Sequence, residues 1–169
     1  MIDMIKIVGA AGKINTIKKF LEVTGRVFNK YKIEAQFFDA EMIYGKKHLI
    51  SAFNHAKRAM EQNTNTSNSL SMELLLYASG ERQLKIAIPK MGIKKDKSNI
   101  AIVFLTDVND NIINEILDEL SLKRDDKILE GDIITLKKFG LKNKEIETVT
   151  KDKYLDLILE KVSLVDIIK

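Results

Sequence analysis

Residues Asn99-Ile100-Ala101-Ile102-Val103-Phe104-Leu105 form a nearly unbroken apolar run rich in β-branched side chains. A run this short with no polar face predicts a strand at a central position in a sheet, because an edge or surface strand would alternate. Two shorter strands are predicted at Ile5 to Val8 and Ile33 to Phe38. Helical spacing accounts for most of the remainder. Thr16 to Lys30 repeats Ile17, Phe20, Leu21, Val27 and Phe28, with Asn15 or Thr16 as cap. A helix within Glu41 to Gln62 places Leu49, Ala52, Phe53, Ala56, Ala59 and Met60 on one side, the clearest pattern in the chain. Further helices are predicted from Asn109 or Asp110 to Leu122 and from Tyr154 to Val165. Ile133 to Phe139 fits either period, and Asn63 to Asn68 reads as a polar, mobile turn. The expected architecture is a mixed α/β (α+β) fold, one domain over residues 1–169 with helices packed on a small central sheet.

Composition excludes several classes. With no cysteine there is no disulfide, no thiol catalysis and no Cys-ligated zinc, in keeping with a cytoplasmic protein. No apolar run approaches the roughly 18 residues of a membrane span. The opening Met4 to Gly9 run, flanked by Asp3 and Lys6, reads as the first strand and not as a signal peptide, so the sequon Asn65-Thr66-Ser67 carries no glycosylation meaning.

The binding chemistry gathers at residues 69 to 92. Two short helices, Ser69 to Ala78 and Ser79 to about Met91, meet at the elbow Ala78-Ser79-Gly80-Glu81-Arg82-Gln83. Ser79 is placed to cap the second helix, Gly80 lets a partner approach the backbone, and Arg82 stands in the first turns. Those are the parts of an anion or phosphate site. Gly92 is expected to close that helix as a left-handed cap, and Pro89 to kink it or end it early. From Gly80 to Lys97 there are six cations (Arg82, Lys85, Lys90, Lys94, Lys95, Lys97) against two anions, an excess equal to the formal +4 of the whole chain. Such a window attracts polyanions, although a solvated lysine face would look the same.

Catalytic motifs fail on inspection. Gly9-Ala10-Ala11-Gly12-Lys13 lacks the Walker loop's first glycine, where Ile7 sits, and its Ser or Thr, where Ile14 sits. It also lacks the later glycines of a dinucleotide loop, and it leaves a strand where a KH loop joins helices. His48 and His55, seven residues and about 700° of helix apart, share a stripe with Ser51, Arg58 and Gln62 but bring no carboxylate, so no metal is expected. No Ser, His and acid fall into a nucleophile motif. No cofactor is implied.

In order along the chain, Phe38-Asp39-Ala40-Glu41-Met42-Ile43-Tyr44-Gly45-Lys46-Lys47-His48-Leu49, Asn54-His55-Ala56-Lys57-Arg58-Ala59, Ser71 to Gln83, Met91-Gly92-Ile93 and Leu159 to Asp166 resemble the TPRKB-like family, the small accessory subunit of the KEOPS complex. The continuous segment Glu73-Leu74-Leu75-Leu76-Tyr77-Ala78-Ser79-Gly80-Glu81-Arg82-Gln83 is its most specific part. Pro89 departs from the usual helix-forming pattern, and the abundance of lysine and isoleucine points to an archaeal version.

The resemblance implies a non-catalytic subunit of the complex that installs threonylcarbamoyl on the adenosine beside the anticodon of tRNA. Such a subunit docks directly on the kinase-ATPase subunit, promotes its activity, reaches the transferase subunit through the same complex, and recruits tRNA by its 3′ CCA end, with no membrane involved. The expected RNA-binding residues are Arg82, Ser79, Gly80, Gln83 and Lys85 at the elbow, Tyr77 as a stacking ring, and Lys46, Lys47, His48 and Arg58 as a second wall. Tyr77 as a core aromatic with its hydroxyl at the surface, and Glu73 as buried support of the elbow or a partner of the helix dipole, are the plainer readings. The apolar edge Leu155, Leu159 and Val162 is the expected kinase contact, although such a stripe is more often core. The alternative is a free-standing nucleotide-acting enzyme with its phosphate site at Ser79 to Arg82.

Overall fold

The computed structural model describes residues 5–169; the Met4 end of the first predicted strand lies outside them. In chain order the elements are β1 (Lys6–Ala11), α1 (Ile17–Tyr31), β2 (Ala35–Asp39), α2 (Gly45–Glu61), α3 (Leu70–Ser79), α4 (Leu84–Met91), β3 (Asn99–Phe104), α5 (Asp110–Glu119), β4 (Lys123–Arg124), α6 (Ile133–Phe139), α7 (Asn143–Ile146) and α8 (Tyr154–Ile168), with short 3-10 turns between some of them. The fold is mixed α and β, as expected, and the chain divides into two compact units, each built from two separate stretches.

The first unit comprises residues 5–40 and 93–129. Its four strands form an antiparallel sheet in the order β2-β3-β1-β4. The apolar run becomes β3 and takes the inner position predicted for it, with Ile102 facing Val8 on one side and Phe37 on the other. Val8, Ile100, Ile102, Phe104 and Phe37 share a core with Val27 of α1 and Ile113, Ile116 and Leu117 of α5. Each such side chain contributes about 1.5–3 kcal/mol on burial. Asn109 caps α5 through the amide of Ile112 at 2.9 Å. The Gly9 to Lys13 stretch is a packing device: a Cβ at Gly9 would lie 2.4 Å from the carbonyl oxygen of Asp125, and one at Gly12 2.6 Å from Leu122. Small residues stand there because backbone and side chains press against them.

The second unit comprises residues 41–92 and 130–169 and is helical. At its centre α3 is apolar on every side, and all residues from Glu73 to Ser79 are buried. The segment 133–139, open between two periods in the sequence, is helix α6. Asp132 caps it by accepting from the amides of Ile134 and Thr135 at 2.9 and 3.1 Å, Thr135 returns a bond to the Asp132 amide, and Gly140 closes it with φ 115°.

Two expectations about the elbow are corrected. Ser79 does not open the second helix; it is the last residue of α3, and the next helix begins at Leu84 with Gln83 before it. The left-handed residue is Gly80, φ 70°, whereas Gly92 sits at φ −70°, ψ 162°, in extended backbone. Pro89 lies inside α4, which ends two residues later.

Candidate functional site

The elbow is assembled from the C-terminal end of α3, where a helix leaves carbonyls unpaired. Gly80 donates its N–H to the carbonyl of Tyr77 at 3.1 Å. The Ser79 hydroxyl donates to the carbonyl of Leu76 at 2.6 Å and accepts from the Glu81 amide at 3.0 Å. Ala78 presents its carbonyl 2.8 Å from His48 Nε2, while His48 Nδ1 accepts from the Tyr44 amide at 3.1 Å. That pair of bonds fixes one tautomer: Nε2 carries the proton and the ring is neutral. Burial pulls its pKa down to about 4, opposed by the bond to Ala78 and aided by the charge of Lys90. Lys90 turns inward over the Phe139 ring, 4.0 Å from its centroid, and donates to the Ser79 carbonyl at 2.7 Å and Glu81 at 3.1 Å. Desolvation lowers its pKa, against the hydrogen bond it donates to Glu81.

The cations left outward are Arg82 and Lys85, both exposed and without an ion pair among the described residues. Not all of the six-cation window is free to meet a polyanion. Lys90 is committed to the elbow, Lys94 pairs with buried Asp39 at 3.0 Å, and the window divides between the two units after Gly92. Lys46 and Lys47 are exposed in the first turn of α2, and Arg58 is exposed further along it.

A second polar cluster joins α2, α3 and α8. The Tyr77 hydroxyl donates to Asp166 Oδ1. His55 Nδ1 lies 2.8 Å from Asp166 Oδ2 and 2.7 Å from Arg58 Nη2. One nitrogen cannot donate to the first and accept from the second, and the carboxylate's charge favours Nδ1–H toward Asp166. Burial raises the Asp166 pKa, but the bonds from Tyr77 and His55, with the charges of His55 and Arg58, outweigh it and hold the group below its ordinary value. Burial, then the contact with Asp166, drives the Tyr77 phenol well above its own. One helical turn earlier the carboxylate of Glu73 is fully buried. It accepts from the amides of Thr66 at 3.0 and 3.1 Å, from Ser67 at 2.8 Å, and from Lys169 Nζ at 3.0 Å. The polar turn 63–68 is thus tied down by its own amides.

Ser163, His55 and Asp166 stand in the order of a hydrolase triad, a constellation the sequence spacing did not announce. Ser163 Oγ is 3.4 Å from His55 Nε2 but donates to the carbonyl of Leu159 at 2.9 Å. Its proton is therefore aimed along its own helix and away from the imidazole, which leaves no activated nucleophile. Among the described residues no three or more His, Asp or Glu converge as metal ligands.

The predicted site residues accordingly part company. Arg82, Lys85, Lys46, Lys47 and Arg58 reach the surface, and Gly80 and Gln83 are half-buried at the elbow. Tyr77, His48 and Ser79 are corrected: all three are buried, so Tyr77 offers no face for stacking, His48 is no part of an outer wall, and the Ser79 hydroxyl is already paired. Tyr77 is a core aromatic, but its hydroxyl is turned onto Asp166 and not to the surface, and Glu73 is buried support of the 66–67 turn and Lys169 in place of the elbow. On α8, Val162 is core, Leu155 and Leu159 are half-buried, and the exposed aliphatics are Leu164, Ile167 and Ile168 beyond them. At about 100° per residue these exposed aliphatics fall on roughly the opposite side of α8 from Leu155, Leu159 and Val162, so continuing the predicted stripe leads to Asp166 and Lys169 and not to them. Among the described residues no helix is long and apolar enough to cross a membrane.

Comparison with known proteins bears on the whole chain. The family described as "Kinase binding protein CGI-121" matches residues 13–166. The chain is also similar to "Regulatory protein Cgi121" of Methanocaldococcus jannaschii, 25% identical over 153 residues that cover 87% of this chain and 92% of that protein.

Proposed function

The chain belongs to the CGI-121 family of kinase-binding proteins, and from that premise we propose that it is the non-catalytic regulatory subunit of a KEOPS complex. It docks on the kinase-ATPase subunit, promotes that subunit's activity, and recruits tRNA by the 3′ CCA end so that threonylcarbamoyl is placed on the adenosine beside the anticodon. The transferase subunit is met through the same complex.

The observation that carries the docking reading is the end of α8. Leu164, Ile167 and Ile168 share one face, and Ile167 is 77% exposed. A helix stops being core where its apolar stripe keeps running into solvent, and an aliphatic stripe kept in water is the signature of a partner surface. Leu155 and Leu159, the contact expected from the sequence, are half-buried on roughly the other side of α8, so the docking face proposed is the exposed one at its end. For RNA, Arg82 and Lys85 supply cations to a phosphate backbone, and Ile86 and Ile88, each 45% exposed on α4, supply apolar surface that a buried Tyr77 does not.

The deciding experiment measures affinity of the purified chain for a KEOPS kinase-ATPase and for one tRNA with and without its CCA end. Ile167→Asp is expected to weaken kinase binding by 30-fold or more, the scale of an interface hot spot, with the melting temperature held. An unchanged affinity in a folded variant removes docking from α8. Loss of tRNA affinity with the CCA end, with a log-log salt slope of about 0.7 per phosphate contact, supports tail recognition; equal affinity overturns it. Tight mononucleotide binding with turnover and no partner would favour the free-standing enzyme instead.

A further inference from the structure

Tyr77 is bonded to both proposed surfaces. Its hydroxyl donates to Asp166 in the last turns of α8, beside exposed Ile167. Its carbonyl accepts the Gly80 N–H that sets the elbow. The ring is stacked on His55 at 5.5 Å and 20°, and Lys169 Nζ stands 4.6 Å from its centroid. Lys169 in turn holds Glu73, one turn back on α3, together with the amides of residues 66 and 67. The charged and titratable groups facing this cluster come from every element around it: His55 and Arg58 from α2, Glu73 from α3, Asp166 and Lys169 from the end of α8.

We propose that occupancy of the α8 end and polyanion binding at the elbow are energetically coupled through Tyr77, which acts as a positioning residue for both. A partner seated on Leu164, Ile167 and Ile168 grips the turn that carries Asp166 and Lys169. From that turn Asp166 bonds Tyr77 and Lys169 bonds Glu73, both on α3. Because α3 is buried from Glu73 to Ser79, it has no loose neighbours to absorb a shift, and close-packed interiors transmit displacement. The coupling must also be reciprocal. This inference rests on the two surfaces being the sites named above.

The test is a binding cycle: tRNA affinity of the full chain, alone and saturated with the kinase-ATPase, for wild type, Tyr77→Phe and Asp166→Asn. Wild type is expected to change its tRNA affinity by about 5-fold or more on kinase saturation, and both variants to bring that ratio to about one. Hydrogen exchange of the free variants gives a second readout, with the Gly80 and Glu81 amides exchanging faster while α5 amides keep their wild-type rates. If wild type fails to bind either partner, the functional reading falls and the coupling with it. If both bind but the wild-type ratio is one, or Tyr77→Phe keeps the wild-type ratio, the coupling alone is overturned.

Discussion

Each unit buries one carboxylate against a lysine, but the two differ in how much further polar burial and how much exposed aliphatic surface they carry. In the sheet unit the core is apolar, ion pairs such as Lys6–Asp110 and Lys30–Glu119 lie at the surface, the buried carboxylate of Asp39 is held by the half-buried Lys94, and among the described residues Leu21 is its one large aliphatic in the exposed class. In the helical unit a carboxylate, an imidazole and a lysine are buried, while Ile50, Ile86, Ile134 and Ile167 face solvent. Stability alone favours the first arrangement, since buried charge costs solvation and exposed aliphatics gain nothing. The second is what remains when a surface is kept for partners and a polar frame is needed to hold it. On the function proposed above the helical unit carries the working surface, and the contrast can be tested one substitution at a time.

Glu73→Leu should give the largest effect. It strands Lys169, which is 7% exposed, and the amides of Thr66 and Ser67 without an acceptor. Breaking a buried pair from one side costs about 3–5 kcal/mol, to be read in urea unfolding. Restoration of most of that loss by Lys169→Met in the same chain would show that the stranded charge is the cause. A cost below about 1 kcal/mol would place Glu73 with the surface pairs of the other unit.

Acid should separate the units next. His48 is neutral in the folded chain, with its pKa lowered from 6.5 to about 4 by burial, so the unfolded chain binds the proton first. The sign follows from linkage: stability is full above pH 6.5, declines as pH falls, and levels off near pH 4, for a loss on the order of 3 kcal/mol. Paired carboxylates add losses at lower pH, so the His48→Gln variant is the reference. The difference between the two stability curves should fall across pH 6.5 to 4, and parallel curves would mean that His48 is not buried as a neutral ring.

Glycine substitutions should differ in sign. At Gly80 an alanine must adopt φ 70° with its Cβ 3.2 Å from Lys161, at a cost of about 1–2 kcal/mol. At Gly25, mid-helix in α1 with nothing within 4 Å of the added methyl, alanine should stabilise by about 0.5–1 kcal/mol. Calorimetric melting checks both, and a destabilising Gly25→Ala would show that the sheet unit is under constraints its contacts do not reveal.

What the sequence disclosed follows the range of the forces involved. Periodicity is local, so β3, α1, α2 and α5 were legible from their own residues, and α6 would have been decided by Asp132, Thr135 and Gly140 had the caps been weighed with the period. Burial of polar groups is not local. His48 looked like a surface group, and the Tyr77 hydroxyl like a surface hydroxyl, because the residues that satisfy them, Ala78 and Asp166, lie 30 and 89 positions away. The charge window misled for the same reason, since the acceptor of Lys94 is 55 residues distant. Arg82 and Lys85 were read correctly as surface cations because nothing remote claims them.

The smallest effect sharpens the contrast most, because it concerns the same chemistry as the largest. Asp110 in the sheet unit also faces two cations, Lys6 at 3.8 Å and Arg124 at 3.5 Å, and it stands in the first turn of α5 where the helix dipole favours an anion. Its side chain is 68% exposed, so water and salt screen each of those terms. Asp110→Asn should therefore cost about 0.5–1 kcal/mol at low salt and close to nothing at about 1 M, where the Debye length is near 3 Å. Glu73 with one lysine and three amide bonds should cost several times more, with little response to salt, because no ions reach it. Equal salt sensitivity at the two positions would mean that the helical unit opens to water around Glu73, and that the frame beneath its exposed aliphatics is looser than the buried geometry implies.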